Sequence, residues 1–286
     1  MNTPIGFIVS WKVPATVLLA DLRSGIRAAG LDAVELAPDL QPRSLVSRSA
    51  AFIAKGLSTK DERRLSRPVA PKVRQITHEQ LGSFGGLAYS REAGIEYNDV
   101  TQRLKCDEPS IARTLDDTAK TIDETRTASD VTRVMQRIVE LAGADLIPVR
   151  EQGGAYFIPT GSNVITQMDM VLSAIGGTLS RFACTIGHGS DESVATVITD
   201  YMLKQIGELK VAVEELNEAG IRADVKSRRL TRVAELRERI YAYTTLVGTQ
   251  ASTLTQALDH AEMVLLAKLG MNDQPDEIVA AMTESA

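Results

Sequence analysis

Cysteine is almost absent: Cys106 and Cys184 are the only two in 286 residues. Two thiols supply neither a disulfide framework nor a closed thiolate zinc site, so a reducing, cytoplasmic compartment is expected. Gly 20 and Pro 10 are too few for a collagenous or low-complexity chain. No apolar run approaches the roughly 18–20 residues that span a bilayer, so no membrane partner is expected. The start Met1-Asn2-Thr3-Pro4 lacks a basic segment and the apolar stretch ends at Lys12, which argues against a signal peptide. Also missing are a HExxH pair, a CxxC pair, a Walker A loop and a GxSxG elbow. What remains is 44% apolar and 24% charged, the composition of a soluble folded protein. Its length fits two domains or one large one, able to bury roughly 75% of the unfolded surface.

Charge is unevenly spread. Between Leu40 and Gln75 lie Arg43, Arg48, Lys55, Lys60, Arg63, Arg64, Arg67, Lys72 and Arg74, opposed only by Asp61 and Glu62. That leaves +7 in this segment and −12 elsewhere, in a chain of net charge −5. A split of this kind points to an anionic partner, and Lys55, Lys60, Arg63, Arg64, Arg67, Lys72 and Arg74 form a candidate phosphate-contacting strip for nucleic acid. The other reading is a solvated, salt-bridged surface. Phe52 is the only aromatic in the segment and lies in a helical apolar run, so base stacking is not expected.

Gly6 to Trp11 reads as a strand. Pro14 then opens a helix carrying Leu18, Leu22 and Ile26, which stops at Gly30. Ala33 to Leu36 reads as a second strand, completing a small β-α-β unit over 5–37 without the glycine-rich dinucleotide turn. Val46, Ala50, Ile53 and Leu57 mark an amphipathic helix. Ser58 to Pro71, poor in apolar residues, reads as an exposed arm. Leu87, Tyr89 and Arg91 alternate as a strand, Glu92-Ala93-Gly94 turns, and Ile95 and Tyr97 begin the return strand, with a bulge near Asp99. Cys106 reads as an inward-facing small hydrophobe.

Ile111, Leu115 and Ile122 define the next helix. Ser129 caps another that carries Val131, Val134, Ile138 and Leu141 and stops at Gly143. Ile147–Arg150 and Ala155–Ile158 flank a tight turn, Glu151-Gln152-Gly153-Gly154. A helix with Ile165, Met168, Leu172 and Ile175 follows, then a short strand from Phe182 to Gly187.

The strongest periodicity comes last. Ser190 caps a helix with the stripe Ile198, Met202, Ile206, Leu209, Val213 and Leu216. After Gly220 a second helix from about Asp224 carries Val233, Leu236, Ile240, Tyr243, Val247, Gln250, Leu254, Ala257, Ala261 and Val264, with Leu258 and Leu265 one position on. Spacings alternating three and four predict a left-handed coiled coil with a rod of about 60 Å. The first helix is too short to cover it. Val233, Leu236, Ile240, Tyr243, Val247, Gln250, Leu254 and Leu258 are therefore candidate interface residues, with Gln250 as a register-setting polar layer.

The expected fold class is α+β: a mixed α/β body with β-hairpins, then a long antiparallel helical (coiled-coil) hairpin. The parts are an N-terminal α/β region over 1–108 with a basic arm at about 40–75, a helix–hairpin–helix–strand region over 109–189, the helical hairpin over 190–270 and an acidic tail over 271–286.

The three histidines, His78, His188 and His260, have no ligand-spaced neighbours. His188 sits in Gly187-His188-Gly189-Ser190-Asp191-Glu192 at a strand-to-helix junction, a place for an acid, a base or a bound anion, but Ser190-Asp191-Glu192 reads equally as a helix cap. Asp116-Asp117 and Glu214-Glu215 point apart on helices. No catalytic residue, metal site or cofactor is assigned.

The hairpin residues Gly153, Gly154, Tyr156, Phe157 and Pro159 resemble an uncharacterised family of bacteriophage and mobile-element proteins, in which a Gly-Gly-x-Tyr-Phe-x-Pro hairpin precedes a helix and a helical C-terminal region. The resemblance covers at most 110–270. It implies a phage-like origin in a bacterial host and no reaction. The leading expectation is a non-enzymatic interaction or assembly protein, a homo-oligomer or a binder of a protein partner through the coiled coil. Nucleic-acid binding through the basic segment is the alternative, and a hydrolase or nuclease built on His188 is third.

Overall fold

In the computed structural model the described residues are 4–81, 87–149, 154–159, 162–185, 190–216 and 223–269. The turn residues 151–153, His188 and the tail over 271–286 lie outside them. The fold is α+β, with helices and antiparallel sheets. Two compact units share the chain, and they are not consecutive stretches: one takes Met1–Ser10, Ala144–Thr160 and Ser180–Ala286, the other Trp11–Gly143 and Gly161–Leu179.

The first unit holds a four-stranded sheet in the order β10 (Thr178–Thr185), β1 (Pro4–Lys12), β9 (Tyr156–Ile158), β8 (Ile147–Pro148). The β8–β9 hairpin pairs Ile147 with Phe157 and Pro148 with Tyr156. Pro148 lies on the edge strand, where its missing donor leaves no ladder bond unmade. The helices are α7 (Ser190–Glu214), α8 (Ala223–Ala242), α9 (Thr244–Val247) and α10 (Ala251–Leu269), with a 3-10 turn over Gly248–Gln250.

The rod expected from about Asp224 onward is therefore not one helix. It breaks after Ala242, and α8, α10 and α7 pack on one another. The break has a local cause. Gly248 adopts φ +54 and ψ −125, a conformation that side chains strongly disfavour, and the threonines around it are poor helix formers. The interruption is close to one heptad long, so the stripe keeps its phase across it.

In the second unit, α1 (Leu19–Ala28), α2 (Ala33–Leu36), α5 (Ala128–Leu141) and α6 (Ser162–Ala174) pack together beside the two-stranded ribbon β2 (Thr16–Leu18) and β7 (Thr125–Thr127). Leu22, Ile26, Val131, Met135, Ile138, Ile165, Met168 and Leu172 are buried. Gly25 lets α1 approach α6 closely, since a Cβ there would stand 2.7 Å from that of Ala174. The expected β-α-β unit over 5–37 does not form. Ala33–Leu36 is helical because the Asp32 side chain accepts from the Val34 and Glu35 N–H groups. The helix expected at Pro14 starts at Leu19, after β2. α5 is capped by Thr127 rather than Ser129, in a capping box with Asp130.

The rest of this unit is a two-layer α/β element. β3 (Arg63–Ala70), β4 (Val73–Leu81), β5 (Leu87–Asn98) and β6 (Arg103–Cys106) form an antiparallel meander, with α3 (Pro42–Leu57) and α4 (Pro109–Glu124) on one face. Between them lie Val46, Ala50, Ile53, Ile76, Ala93, Ile95, Leu104, Ile111 and Leu115, with half-buried Cys106 packed against them. The expected arm over Ser58–Pro71 is thus largely a strand. It has few apolar residues because it is the sheet edge, where Pro68 also fits. The expected turn at Glu92–Gly94 is instead a bulge inside a continuous β5: Ile76 pairs with Ala93 and Thr77 with Arg91, leaving Glu92 extra. The chain turns where a bulge was expected, after Asn98, whose side chain accepts from Val100 and Thr101 N–H.

Candidate nucleic-acid interface

Strand alternation sorts the basic residues between the two faces of the β3–β6 sheet. Arg64 and Arg74 share the helix side with Ile76. Arg64 donates to Glu62 at 2.7 Å and to both oxygens of Glu92 at 3.3 Å. These bonds raise its pKa further and hold the Glu62 carboxyl below the usual range. Arg74 donates to Ser47 Oγ of α3 at 2.8 Å. Both are engaged inside the unit.

Arg63 and Arg67 lie on the opposite face, exposed. Arg63 has only a loose pairing with Glu79, at 3.9 Å. The Arg67 guanidinium lies 3.8 Å from the centre of the Tyr89 ring, a cation–π contact across the sheet. Tyr89 stays 42% exposed and Leu87 60%, so this face is partly apolar and open to solvent. The same face carries exposed Arg91, Arg103 and Lys105. Arg91 pairs with Asp107. Arg63, Arg67, Arg91, Arg103 and Lys105 outnumber Glu79, Glu96 and Asp107. Lys55 in the last turn of α3 and Lys60 before β3 are both exposed. Lys72, in the β3–β4 turn, pairs with Asp99 and lies 5.8 Å from the Tyr97 ring.

The seven basic residues are therefore not one strip. Arg63 and Arg67 come together on the open face, Lys55 and Lys60 lie outside the sheet, and Arg64, Lys72 and Arg74 are tied to neighbours. Reading the segment alone missed Tyr89, Arg91, Arg103 and Lys105. The alternation of Leu87, Tyr89 and Arg91 was the available signal, and pairing with β3 through β4 supplies the aromatic that residues 40–75 lack.

The candidate interface residues of the apolar ridge occupy a different environment. Val233, Leu236, Ile240, Tyr243, Val247, Leu254 and Leu258 are buried in one cluster with Ile198, Met202, Ile206, Leu209 and Val213 of α7. Gln250, expected as a polar layer in the seam, is exposed in the 3-10 turn. Tyr243 donates to Asp145 at 2.6 Å, and Arg239 pairs with the same carboxylate at 3.0 Å. Burial and that bond push the Tyr243 phenol far above its ordinary pKa.

A family model described as a family of unknown function (DUF6744) matches residues 4–274. The chain belongs to that family. No curated protein and no solved structure matches it. Membership in DUF6744 spans both compact units and carries no activity with it. Among the described residues of this DUF6744 chain, no helix is long and apolar enough to cross a membrane.

Proposed function

We propose that this chain is a nucleic-acid-binding protein that contacts phosphates of a single strand through the open face of the β3–β6 sheet. The observation that carries the reading is the Arg67–Tyr89 stack, exposed on a sheet face where cations outnumber carboxylates. Guanidinium groups on such a face neutralise phosphates and release counterions, while a half-exposed ring offers a surface for a base. Both cysteines are free, which suits the reducing interior of a cell. A mobile-element origin, as the Gly153–Pro159 resemblance implies, is in keeping with a chain that handles nucleic acid.

Assembly through the coiled coil requires an apolar ridge longer than its own chain covers. That ridge is packed within one unit, so it gives no argument for a second copy or a protein partner.

Fluorescence anisotropy with a labelled single-stranded DNA oligonucleotide across a salt series tests the proposal. The chain should bind at low salt, with log K falling linearly against log salt. Replacing Arg63 and Arg67 with Ala should flatten that slope by about 1.4, since each lost contact to a single strand removes about 0.7. Absence of binding at low salt, or an unchanged slope in the variant, would reject it.

A further inference from the structure

A cleft of about 280 Å³ opens in the second unit between α2, α3 and α5, lined among others by Arg126, Arg133, Arg137, Gln41 and Ser44. Arg126 is only 4% exposed. Its Nη1 donates to the carbonyls of Asp123 at 2.9 Å and Thr125 at 2.7 Å, and its Nη2 donates to that of Pro38 at 2.8 Å. Three of its five N–H donors are thus engaged by neutral oxygens, and among the described residues no carboxylate forms an ion pair with it. Desolvation lowers its pKa, the sign of a buried cation short of compensating charge.

The carboxylates nearby are already committed. Asp130 is held by both Nη atoms of Arg48 and lies 3.6 Å from Arg133, Asp39 is held by Arg23 at 2.9 Å, and Glu35 by Arg137 at 3.3 Å. Among the described residues around the cleft, Arg23, Arg48, Arg126, Arg133 and Arg137 outnumber Glu35, Asp39, Asp123 and Asp130. Arg133 and Arg137 lie one turn apart on α5, at the four-residue spacing of a helix face, and Arg126 lies in β7 immediately before that helix. The N-terminus of the 16-residue α3 meets the same space: its first turn has no acidic residue, and Gln41 makes no side-chain cap. The floor is apolar, from buried Leu22, Leu36 and Val134.

We infer that this cleft binds a phosphate group, free or as the monoester end of a small molecule, with Arg126 fixed at its base and Arg133 and Arg137 closing over it. Arginine suits the task because its planar fork donates two parallel bonds to phosphate oxygens. The volume fits a phosphate with a small organic part, and the apolar floor suits that part.

Calorimetric titration of the full chain with inorganic phosphate, and separately with a nucleoside 5′-monophosphate, at constant ionic strength tests the inference. Saturable binding of either probe is expected. Tighter binding of the nucleotide identifies a monoester ligand; equal binding identifies free phosphate. The Arg133→Gln/Arg137→Gln double variant should weaken binding by about tenfold or more, with its ligand-free melting temperature nearly unchanged because both side chains are substantially exposed. It should leave the salt slope for single-stranded DNA as it is, which separates this site from the sheet. No saturable heat with either probe, or equal affinity in the double variant, would overturn the inference.

Discussion

Arg48 grips both carboxylate oxygens of Asp130, each at 2.7 Å, and so ties the middle of α3 to the first turn of α5. Asp130 also accepts from the Thr127 N–H at 3.0 Å and hydroxyl at 2.9 Å. One carboxylate thus serves as a helix cap and as the partner of a bidentate arginine. Replacing Asp130 with Ala should cost about 2 kcal/mol in urea unfolding, less than the ~3–5 kcal/mol of a fully buried pair because Arg48 is partly solvated. Replacing Thr127 alone should cost about 1 kcal/mol.

The pH dependence of that contribution has a definite sign. Burial pushes the Asp130 pKa up, but the bonds from Arg48 and Thr127 outweigh it and hold the carboxyl well below its usual range. Stability from a depressed carboxyl is complete above the unfolded pKa near 3.8 and is lost as pH falls below it. Urea midpoints for wild type and Asp130→Ala should therefore differ by the same amount at pH 7 and pH 5, and converge only in stronger acid. Convergence already at pH 5 would contradict this.

Tyr243 supplies a second test, in the first unit. Its hydroxyl donates to Asp145, only 6% exposed, which Arg239 also holds. Tyr243→Phe keeps the ring and removes one donor from a buried carboxylate, so unfolding free energy should fall by about 1–3 kcal/mol. Because the phenol pKa is raised, alkaline titration followed by tyrosinate absorbance should lose no amplitude in the variant until the chain unfolds.

Gly248 isolates a backbone effect. A Cβ added there meets nothing within 4 Å, so Gly248→Ala tests conformation without a clash. At φ +54 and ψ −125 the substitution should cost about 1–3 kcal/mol. A neutral result by thermal or urea unfolding would mean that the link between α8 and α10 rearranges freely.

Much of the helical part was legible because burial repeats at three and four residues: Leu22 and Ile26, Val46 and Ala50, Val131 and Val134, and Ile165 and Met168 all face cores. The errors share a cause, which is that short local patterns do not report what an element is paired with. Ala33–Leu36 is too short for its β-branched content to decide its state, and Asp32 decides it as a cap. Arg63–Ala70 lacks alternating apolar residues because an edge strand with one open face needs few. The heptad stripe survives the interruption between Ala242 and Ala251 because both helices turn the same face to one core. Of the candidate interface, Arg63 and Arg67 were legible as charge; their meeting with Tyr89 was not, because it depends on strand register across β4.

The ridge itself separates enclosure from assembly. Ile240 is 4% exposed and Val247 3%, both inside a cluster formed with α7 and α10. Ile240→Asp or Val247→Asp would bury a carboxylate with no partner, at a cost of several kcal/mol, comparable to the whole stability of a domain. Circular dichroism and light scattering should therefore show loss of folded structure in the first unit, not a folded protein of smaller size. A variant that keeps native helicity while its hydrodynamic radius falls from that of an oligomer would show instead that the stripe meets a second chain. The exposed Gln250 gives a counterpart free of packing: Gln250→Ala should leave both stability and size unchanged, whereas a polar layer in a shared seam would shift the oligomeric state.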